Sequence, residues 1–386
     1  MKKLLFVHDH IFIRGQDENI YSQGGFPKQL WSKYLDCFTT IDVVARCSVE
    51  QEINTAPYVL STSENVSFHF VKKISTPKSL FKNINLVSTT IENKVKNSDY
   101  IIARLPSENG LLAVYYARKH KKPLLIEVVG CAWDSLWNYG SIFSKFYACI
   151  SYARTKMAIK SSSYVLYVTK EYLQKKYPAN KFAKVINASN VAINNKLSVT
   201  FPLYQKKYES VKIGLIGNYK TKYKGVHTAI EAISLLNAKG LDASLYILGK
   251  GEKVNYLEFA EKLGVQTKVN FCEPVPSGEP VLDWIDNIDL YIQPSLTEGL
   301  PRSLIEAMSR GRVCIGSTVG GIPELLSNDF LHEPNNAEDL SNVILNTLKK
   351  DFNEVSLTNI NVAQSYNQNS IYERRLSFFN QFSNQK

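Results

Sequence analysis

Nowhere in the 386 residues does a run approach the ~18–20 consecutive apolar residues that a membrane span needs, so any contact with a bilayer is expected to be peripheral. A cysteine framework is missing as well. Six cysteines (Cys37, Cys47, Cys131, Cys149, Cys272 and Cys314) lie scattered with no CxxC pair, which reads as free thiols in a reducing cytoplasm. The opening MKKLLFVHDHIFIRG imitates an export signal in its two lysines, but His8-Asp9-His10 breaks the apolar run and no small-residue cleavage site follows. A cytoplasmic protein is therefore expected. No repeat of solenoid period and no low-complexity tract is present. A dinucleotide fingerprint is also absent: LGKGEKV has Gly249 and Gly251 but Val254 where G-x-G-x-x-G needs its third glycine, which weighs against an oxidoreductase.

What the chain has in excess is positive charge. Forty-six Lys and Arg against 35 Asp and Glu give a formal net charge of +11, a field that attracts a nucleic acid, an anionic membrane face or a phosphorylated ligand. Many of the lysines stand among Tyr, Asn and Ser, as in YKTKYKG and YQKKYES, rather than in a basic block, so a solvated surface with no special partner is an equal alternative. The length exceeds the roughly 250–300 residues at which a single core stops growing, and two domains are expected.

From Val211 onward, short β-branched runs alternate with segments of helical period, the pattern of a parallel sheet flanked by helices. VKIGLIG, ASLYILG, KVNFCEPV, DLYIQPS, RVCIGST and DFLHEP read as strands. The first half repeats the style less regularly, with strands KKLLFVH, IDVVAR, VSFHFVKK, DYIIARL, PLLIEVVG, SYVLYVT and AKVINAS separated by helical segments. The fold class is α/β, with Rossmann-like domains at residues 1–195 and 208–365 joined by the polar INNKLSVTFPLYQKKYES. Residues 366–386 contain an amphipathic helix, SIYERRLSFFNQF, whose apolar side (Ile371, Leu376, Phe379) needs somewhere to dock.

The densest chemistry lies in SLTEGLPRSLIEAMSRG, Ser295 to Gly311. A helix that begins near Pro301, just past a strand's carboxyl end, offers unpaired N–H groups and a positive dipole end to an anion. Proline costs nothing at the first helical position. Glu298 and Glu306 would repel a phosphate, but an ionised carboxylate accepts two hydrogen bonds and so matches the vicinal hydroxyls of a ribose or a hexose on either side of it. Sugar, phosphates and ribose in one ligand describe a nucleotide sugar. The competing reading is an acidic helix start with an Arg302–Glu306 surface pair worth about 0.3–0.5 kcal/mol.

In GLIGNYKTKYKG, Gly217 lets backbone approach a ligand while Lys220, Lys222 and Lys224 offer cations to a diphosphate; an ordinary turn and a solvated basic loop are the alternative. Asp283, Asp286 and Asp289 fit a helix face better than a metal site. His8 and His10 flank Asp9 on an extended chain, so neighbours in this triplet point in alternate directions, which argues against zinc. Glu127 ends in a buried-looking strand with no evident partner.

The stretch QPSLTEGLPRSLIEAMSRGRVCIGSTVGGIPELL, Gln293 to Leu326, resembles the signature of glycosyltransferase family 4, retaining enzymes of the GT-B fold. The resemblance extends to Lys224-Gly225 and to QGGFPKQL with Gly24-Gly25 after the first strand, and is weakest over the first domain. It implies two doubly wound domains facing across a cleft, with the last helix returning to the first domain. It implies transfer of a hexose from a UDP- or GDP-linked sugar to a saccharide or polyprenyl-diphosphate-linked acceptor, in synthesis of a bacterial surface polysaccharide such as capsule or lipopolysaccharide. No cofactor, metal or nucleic acid is called for.

By the same resemblance, Glu298 contacts the donor hexose beside the anomeric centre and Glu306 binds the ribose hydroxyls. The backbone of Gly299, Leu300, Pro301, Arg302 and Ser303 receives the diphosphate, Lys224 neutralises it as it leaves, and Gly24-Gly25 approach it from the first domain. The leaving phosphate helps deprotonate the acceptor, so no side-chain nucleophile is required. Two departures stand out. Asn218 follows Gly217 where relatives often carry arginine, leaving Lys220 or Lys222 to substitute; GCAWDSLW follows PLLIEVVG where relatives often carry histidine, leaving Asp134 or the Gly130 backbone to serve. Arg104 in IIARLPS is an acceptor or phosphate contact, or else a structural ion pair. A phosphorylase or sugar-nucleotide epimerase on this fold is the nearest alternative, and a nucleic-acid binder would leave the paired glutamates without purpose. The basic charge, the aromatic-rich first domain and the amphipathic last helix suit the anionic inner face of a membrane.

Overall fold

A computed structural model of the chain describes residues 2–23, 25–49, 58–137, 142–191, 193, 210–219, 222–276 and 278–385. Gly24, Lys220 and most of the connection expected between the domains (192 and 194–209) lie outside them. The chain divides into two compact units, residues 1–188 with 371–386 and residues 189–370. None of the six cysteines is in a disulfide.

The first unit is built on strands β1 (Lys3–Arg14), β2 (Ile20–Ser22), β3 (Thr40–Val49), β4 (Val59–Leu60), β5 (Val66–Phe70), β6 (Tyr100–Leu105), β7 (Leu124–Val128), β8 (Tyr164–Tyr167) and β9 (Lys184–Asn187). They pair in parallel in the order β5-β3-β1-β6-β7-β8-β9, with β2 and β4 added antiparallel beside the far end of β1. Leu4, Leu5, Phe6 and Val7 of β1 are buried without a polar alternation, as a central parallel strand covered on both faces requires. The helices are α1 (Lys28–Leu35), α2 (Pro77–Lys96), α3 (Glu108–Lys119), α4 (Ala132–Trp137), α5 (Ile142–Lys160) and α6 (Tyr172–Lys176). Right-handed crossovers place α2, α3 and α5 on one face of this sheet, where α3 contacts both of the others, and α1, whose crossover runs the opposite way, on the second face.

The second unit holds β10 (Ser210–Ile216), β11 (Asp242–Leu248), β12 (Val269–Cys272), β13 (Leu290–Gln293), β14 (Val313–Ser317) and β15 (Leu331–His332). All pair in parallel, in the order β12-β11-β10-β13-β14-β15. Helices α7 (Val226–Ala238), α8 (Val254–Lys262), α9 (Glu279–Asp286), α10 (Arg302–Ser309), α11 (Ala337–Thr347) and α12 (Phe352–Gln364) connect and cover them. The chain leaves β10 for one edge of the sheet and β13 for the other. That reversal opens a crevice outside the carboxyl ends of β10 and β13, the place where open α/β sheets hold ligands.

The last helix, α13 (Gln368–Ser383), packs on the α1 face of the first unit. Phe379 stacks on Tyr34 at 5.1 Å and Phe382 lies 5.3 Å from Tyr164 between ring centroids. Its inward side is Ile371, Arg375, Phe378, Phe379 and Phe382, with Leu376 only half-buried. This corrects the expected face by one position: Arg375 turns inward to meet a buried carboxylate. It also removes this helix as a membrane element, because its apolar side is already covered.

Candidate functional site

Two glycines force the loops at the crevice together. Gly225, which precedes α7, has φ +71°, and a Cβ there would lie 1.8 Å from the Pro294 carbonyl oxygen. Only glycine combines that left-handed backbone with that approach. The contact is sealed by the Leu296 N–H, which donates to the Tyr223 carbonyl at 2.7 Å. From the other side Gly320, with φ +60°, brings its α-carbon so near Glu298 that a Cβ would sit 2.1 Å from the Glu298 carbonyl oxygen. The Gly321 N–H donates to the Gly299 carbonyl at 2.7 Å. The segment between β13 and α10 is thus clamped between the turn that carries Lys224 and the turn after β14.

Held this way, Glu298 receives three donors on one oxygen. Lys224 Nζ lies 2.5 Å from Oε1, Ser295 Oγ donates to it at 2.9 Å and Gln293 Nε2 at 3.1 Å. Gln293 is fixed in turn, since its Oε1 accepts from Tyr291 at 2.9 Å and from Ser303 Oγ at 3.0 Å. Among the described residues nothing donates to Glu298 Oε2, so that oxygen keeps its lone pairs for a ligand. The ion pair with Lys224 is new relative to the sequence reading, which gave carboxylate and ammonium separate duties.

Glu306 lies one turn into α10 and is half-buried, yet its carboxylate makes no hydrogen bond and no ion pair within 4 Å to a described residue. The Arg302–Glu306 contact considered from the sequence does not form. Burial pushes the Glu306 pKa up, and the Arg302 charge only partly offsets this. Helix α10 begins at Arg302 and Pro301 is its N-cap, one position earlier than expected, with no side-chain cap. The N–H groups of Leu300, Arg302 and Ser303 find no acceptor among the described residues. The Ser303 N–H is thus uncommitted among the described residues, while its hydroxyl is spent on Gln293.

A family model described as glycosyl transferases group 1 matches residues 210–350, the unit that carries this crevice. Along its length the chain is similar to Protein CapJ of Staphylococcus aureus, 33% identical over 378 residues that cover 97% of this chain and 94% of CapJ. The chain belongs to the group 1 glycosyltransferases. A shorter similarity, 31% identical over 135 residues (32% of this chain and 33% of the relative), is to the amylovoran biosynthesis glycosyltransferase AmsK of Erwinia amylovora. The fold is GT-B, as in the Anabaena protein HepE solved in complex with UDP and glucose: TM-score 0.63, 15% identity, 97% of this chain and 98% of HepE covered.

The transferase keeps the other sequence candidates in varied settings. Lys222 is exposed and Asn218 half-buried beside Gly217, whose N–H donates to the Leu248 carbonyl at 3.0 Å. Gly25 is exposed near His10, while Gly24 and Lys220 lie outside the described residues. Arg104 is buried 5.0 Å above the Phe26 ring, with Nε 3.6 Å from Glu127 Oε2. Glu127, which looked partnerless, also accepts from Tyr34 at 2.8 Å and sits 3.6 Å from Arg375. Asp134 is engaged by the Tyr172 hydroxyl and by Lys176 at 3.1 Å. Asp286 pairs with Arg310 and Arg312, and Asp289 accepts from the Lys212 N–H at 2.8 Å. Among the described residues no group of three His, Cys, Asp or Glu is placed to hold a metal. Gln293 and Ser295 were missed as site residues; the only signal for them was their place in QPS, at the strand end next to Glu298.

Proposed function

We propose that the chain transfers a hexose from a UDP- or GDP-linked donor, with retention, to a saccharide or polyprenyl-diphosphate-linked acceptor during synthesis of a bacterial surface polysaccharide, at the inner face of the membrane. The observation that carries the reading is Glu306: a half-buried carboxylate with no partner among the described residues, beside backbone N–H groups at the mouth of a helix that find no acceptor there either. A buried charge of this kind is unfavourable unless a ligand completes it. Ribose hydroxyls supply the missing donors, and the N–H groups of Leu300, Arg302 and Ser303 take the diphosphate. The biosynthetic name of AmsK and the UDP and glucose held by HepE support this choice of ligand and product class.

Glu298 then presents Oε2 to the hexose hydroxyls while Lys224, anchored on Oε1, faces the diphosphate. The bond from the anomeric carbon to the diphosphate oxygen breaks and its electron pair passes to the phosphate, where Lys224, Lys222 and the helix mouth stabilise the charge. The acceptor oxygen bonds to the anomeric carbon from the same face, and its proton passes to the departing phosphate. No side-chain nucleophile enters the scheme.

A thermal-shift panel of UDP- and GDP-sugars tests the reading. At about 100 times its Kd the correct donor stabilises the fold by about 2.7 kcal/mol. Glu306→Ala is expected to abolish that shift while leaving the unliganded melting temperature equal or higher, because an uncompensated carboxylate is removed. A panel in which no nucleotide sugar shifts the wild-type protein would sink the proposal.

A further inference from the structure

Helix α5 carries on its outward side a row of apolar side chains that the described residues leave uncovered. Phe146 is 77% exposed, Ile150 52% and Met157 63%, with Cys149 and Ala153 exposed between them. Spacings of three, four and seven put these positions on one stripe. The core does not use that stripe: Ala148, Ser151, Thr155, Ala158 and Ile159 form the buried side of the same helix. An exposed apolar band of this kind on a soluble unit marks an interaction surface.

Its charge narrows the partner. Helix α5 contains no Asp or Glu. Arg154 is spent on Glu108 at 2.9 Å, but Lys145, Lys156 and Lys160 flank the stripe. Lys145 Nζ lies 5.3 Å from the ring of Trp137, which is 42% exposed at the end of α4 and stacked on Trp133. In the same helix layer α2 presents Phe81, 94% exposed, between Lys78 and Lys82. Glu92 of α2 is already engaged by Lys96, Lys119 and His120.

We propose that this helix layer of the first unit, with the α5 stripe as its main apolar band, is the surface on which the transferase lies against an anionic lipid bilayer. Phe146, Ile150 and Met157 enter the boundary between headgroups and acyl chains, Trp137 sits at its rim, and the lysines lay their stems along the apolar band with their ammonium groups among anionic headgroups. A second copy of the chain fits the stripe poorly, since a two-fold contact would set Lys145, Lys156 and Lys160 against their own copies with no acid on α5 to meet them. The inference deepens the proposed function by naming the surface that meets the lipid, and it takes only the membrane setting from that reading.

The full-length protein is sedimented with vesicles of phosphatidylcholine alone and of equal parts phosphatidylcholine and phosphatidylglycerol. Binding to the anionic vesicles is expected to be at least tenfold stronger, and to weaken at 0.5 M salt. Phe146→Ser, Ile150→Ser and Met157→Ser together are expected to reduce it at least tenfold, and Lys145→Glu with Lys156→Glu and Lys160→Glu to remove the preference for anionic lipid. Both variants should keep the donor-induced thermal shift, which shows that they fold. Equal binding to both vesicle types, or binding that survives the triple serine variant, overturns the proposal. So does light scattering that finds a wild-type dimer which the serine variant converts to monomer, because the stripe then belongs to a second copy. Intact vesicle binding with no response to any nucleotide sugar supports this surface and defeats the donor-site reading instead.

Discussion

At Glu298 the three donors are unequal in kind. Lys224 brings a charge, whereas Ser295 and Gln293 bring orientation, so the two contributions can be separated by substitution. Glu298→Gln keeps the length of the side chain and an oxygen that can still accept from Ser295, but it releases Lys224 from its counter-charge. On the proposed reading donor affinity rests on Glu306 and the helix mouth, so it is expected to change by no more than a few-fold. Turnover is expected to fall by about 10²–10³, the loss typical of one preorganised electrostatic group. Steady-state kinetics check this; a variant that raises KM with kcat unchanged would mean that Glu298 only binds the donor. Both glutamates stand out in the sequence as candidates because a carboxylate beside a helix start in a basic chain demands a reason. The Lys224–Glu298 pair was not, since its members stand 74 positions apart and meet only because β10 and β13 are neighbours in the sheet. Glu306 differed in another way: helical spacing offered Arg302 as its partner, and the structure gives it none among the described residues.

Among the elements, the strands of the second unit were the most legible, since each is a short, mostly apolar run that ends at or just before a Gly, Pro or Ser. Helix α13 was read correctly as amphipathic, yet its inward face was misplaced because a hydrophobic count skips arginine. Arg375 points in because Glu127 at the heart of β7 needs it: the carboxylate is buried among Tyr34, Arg104 and Arg375, and its Oε2 has no hydrogen-bond donor within reach. This cluster ties helix to sheet, with Arg375 also donating to the Ala188 carbonyl at 2.8 Å. Burying an ion pair is weak evidence for net stability, but breaking one leaves a charge uncompensated. Arg375→Ala is therefore expected to destabilise the protein by about 3–5 kcal/mol, read from the midpoint of urea unfolding of the first transition. The double variant Arg375→Met with Glu127→Gln should recover much of that loss. A single variant within about 0.5 kcal/mol of wild type would show that Arg104 alone satisfies Glu127.

Over the whole molecule, two parallel-sheet units could be read from alternation and length, while the path of β1 could not. The strand was expected to stop at His8; instead a register shift between Val7 and Ile11 carries it on to Arg14. That extension sends Asp9 to the start of α3, where it accepts from the Glu108 N–H at 2.7 Å and the Asn109 N–H at 3.2 Å. His8 and His10 turn the other way. His10 packs 4.5 Å from the Phe26 ring and 2.8 Å from Ser22 Oγ. Burial, reinforced by the charges of Arg104 and Arg46, pushes His10 down to about 4 and holds His8 well below its ordinary range. An unfolded histidine titrates near 6.5. Between those values the unfolded chain binds protons that the native chain refuses, so stability must fall as pH drops from about 6.5 and level off near 4. Asp9 and Glu306, both raised by burial, act in the opposite sense, since their native forms take up protons first as acid is added. Their contribution starts closer to the carboxylate range, which leaves the histidines dominant in the upper part of the window. The melting temperature is thus expected to decline from pH 7 to pH 5, and His10→Gln to flatten that decline in part by removing one of the refusing groups, which also include His227 and His332, both lowered by burial. A melting temperature that stays level or rises over this interval in the wild-type protein would mean that the native state protonates these rings as readily as the unfolded chain does.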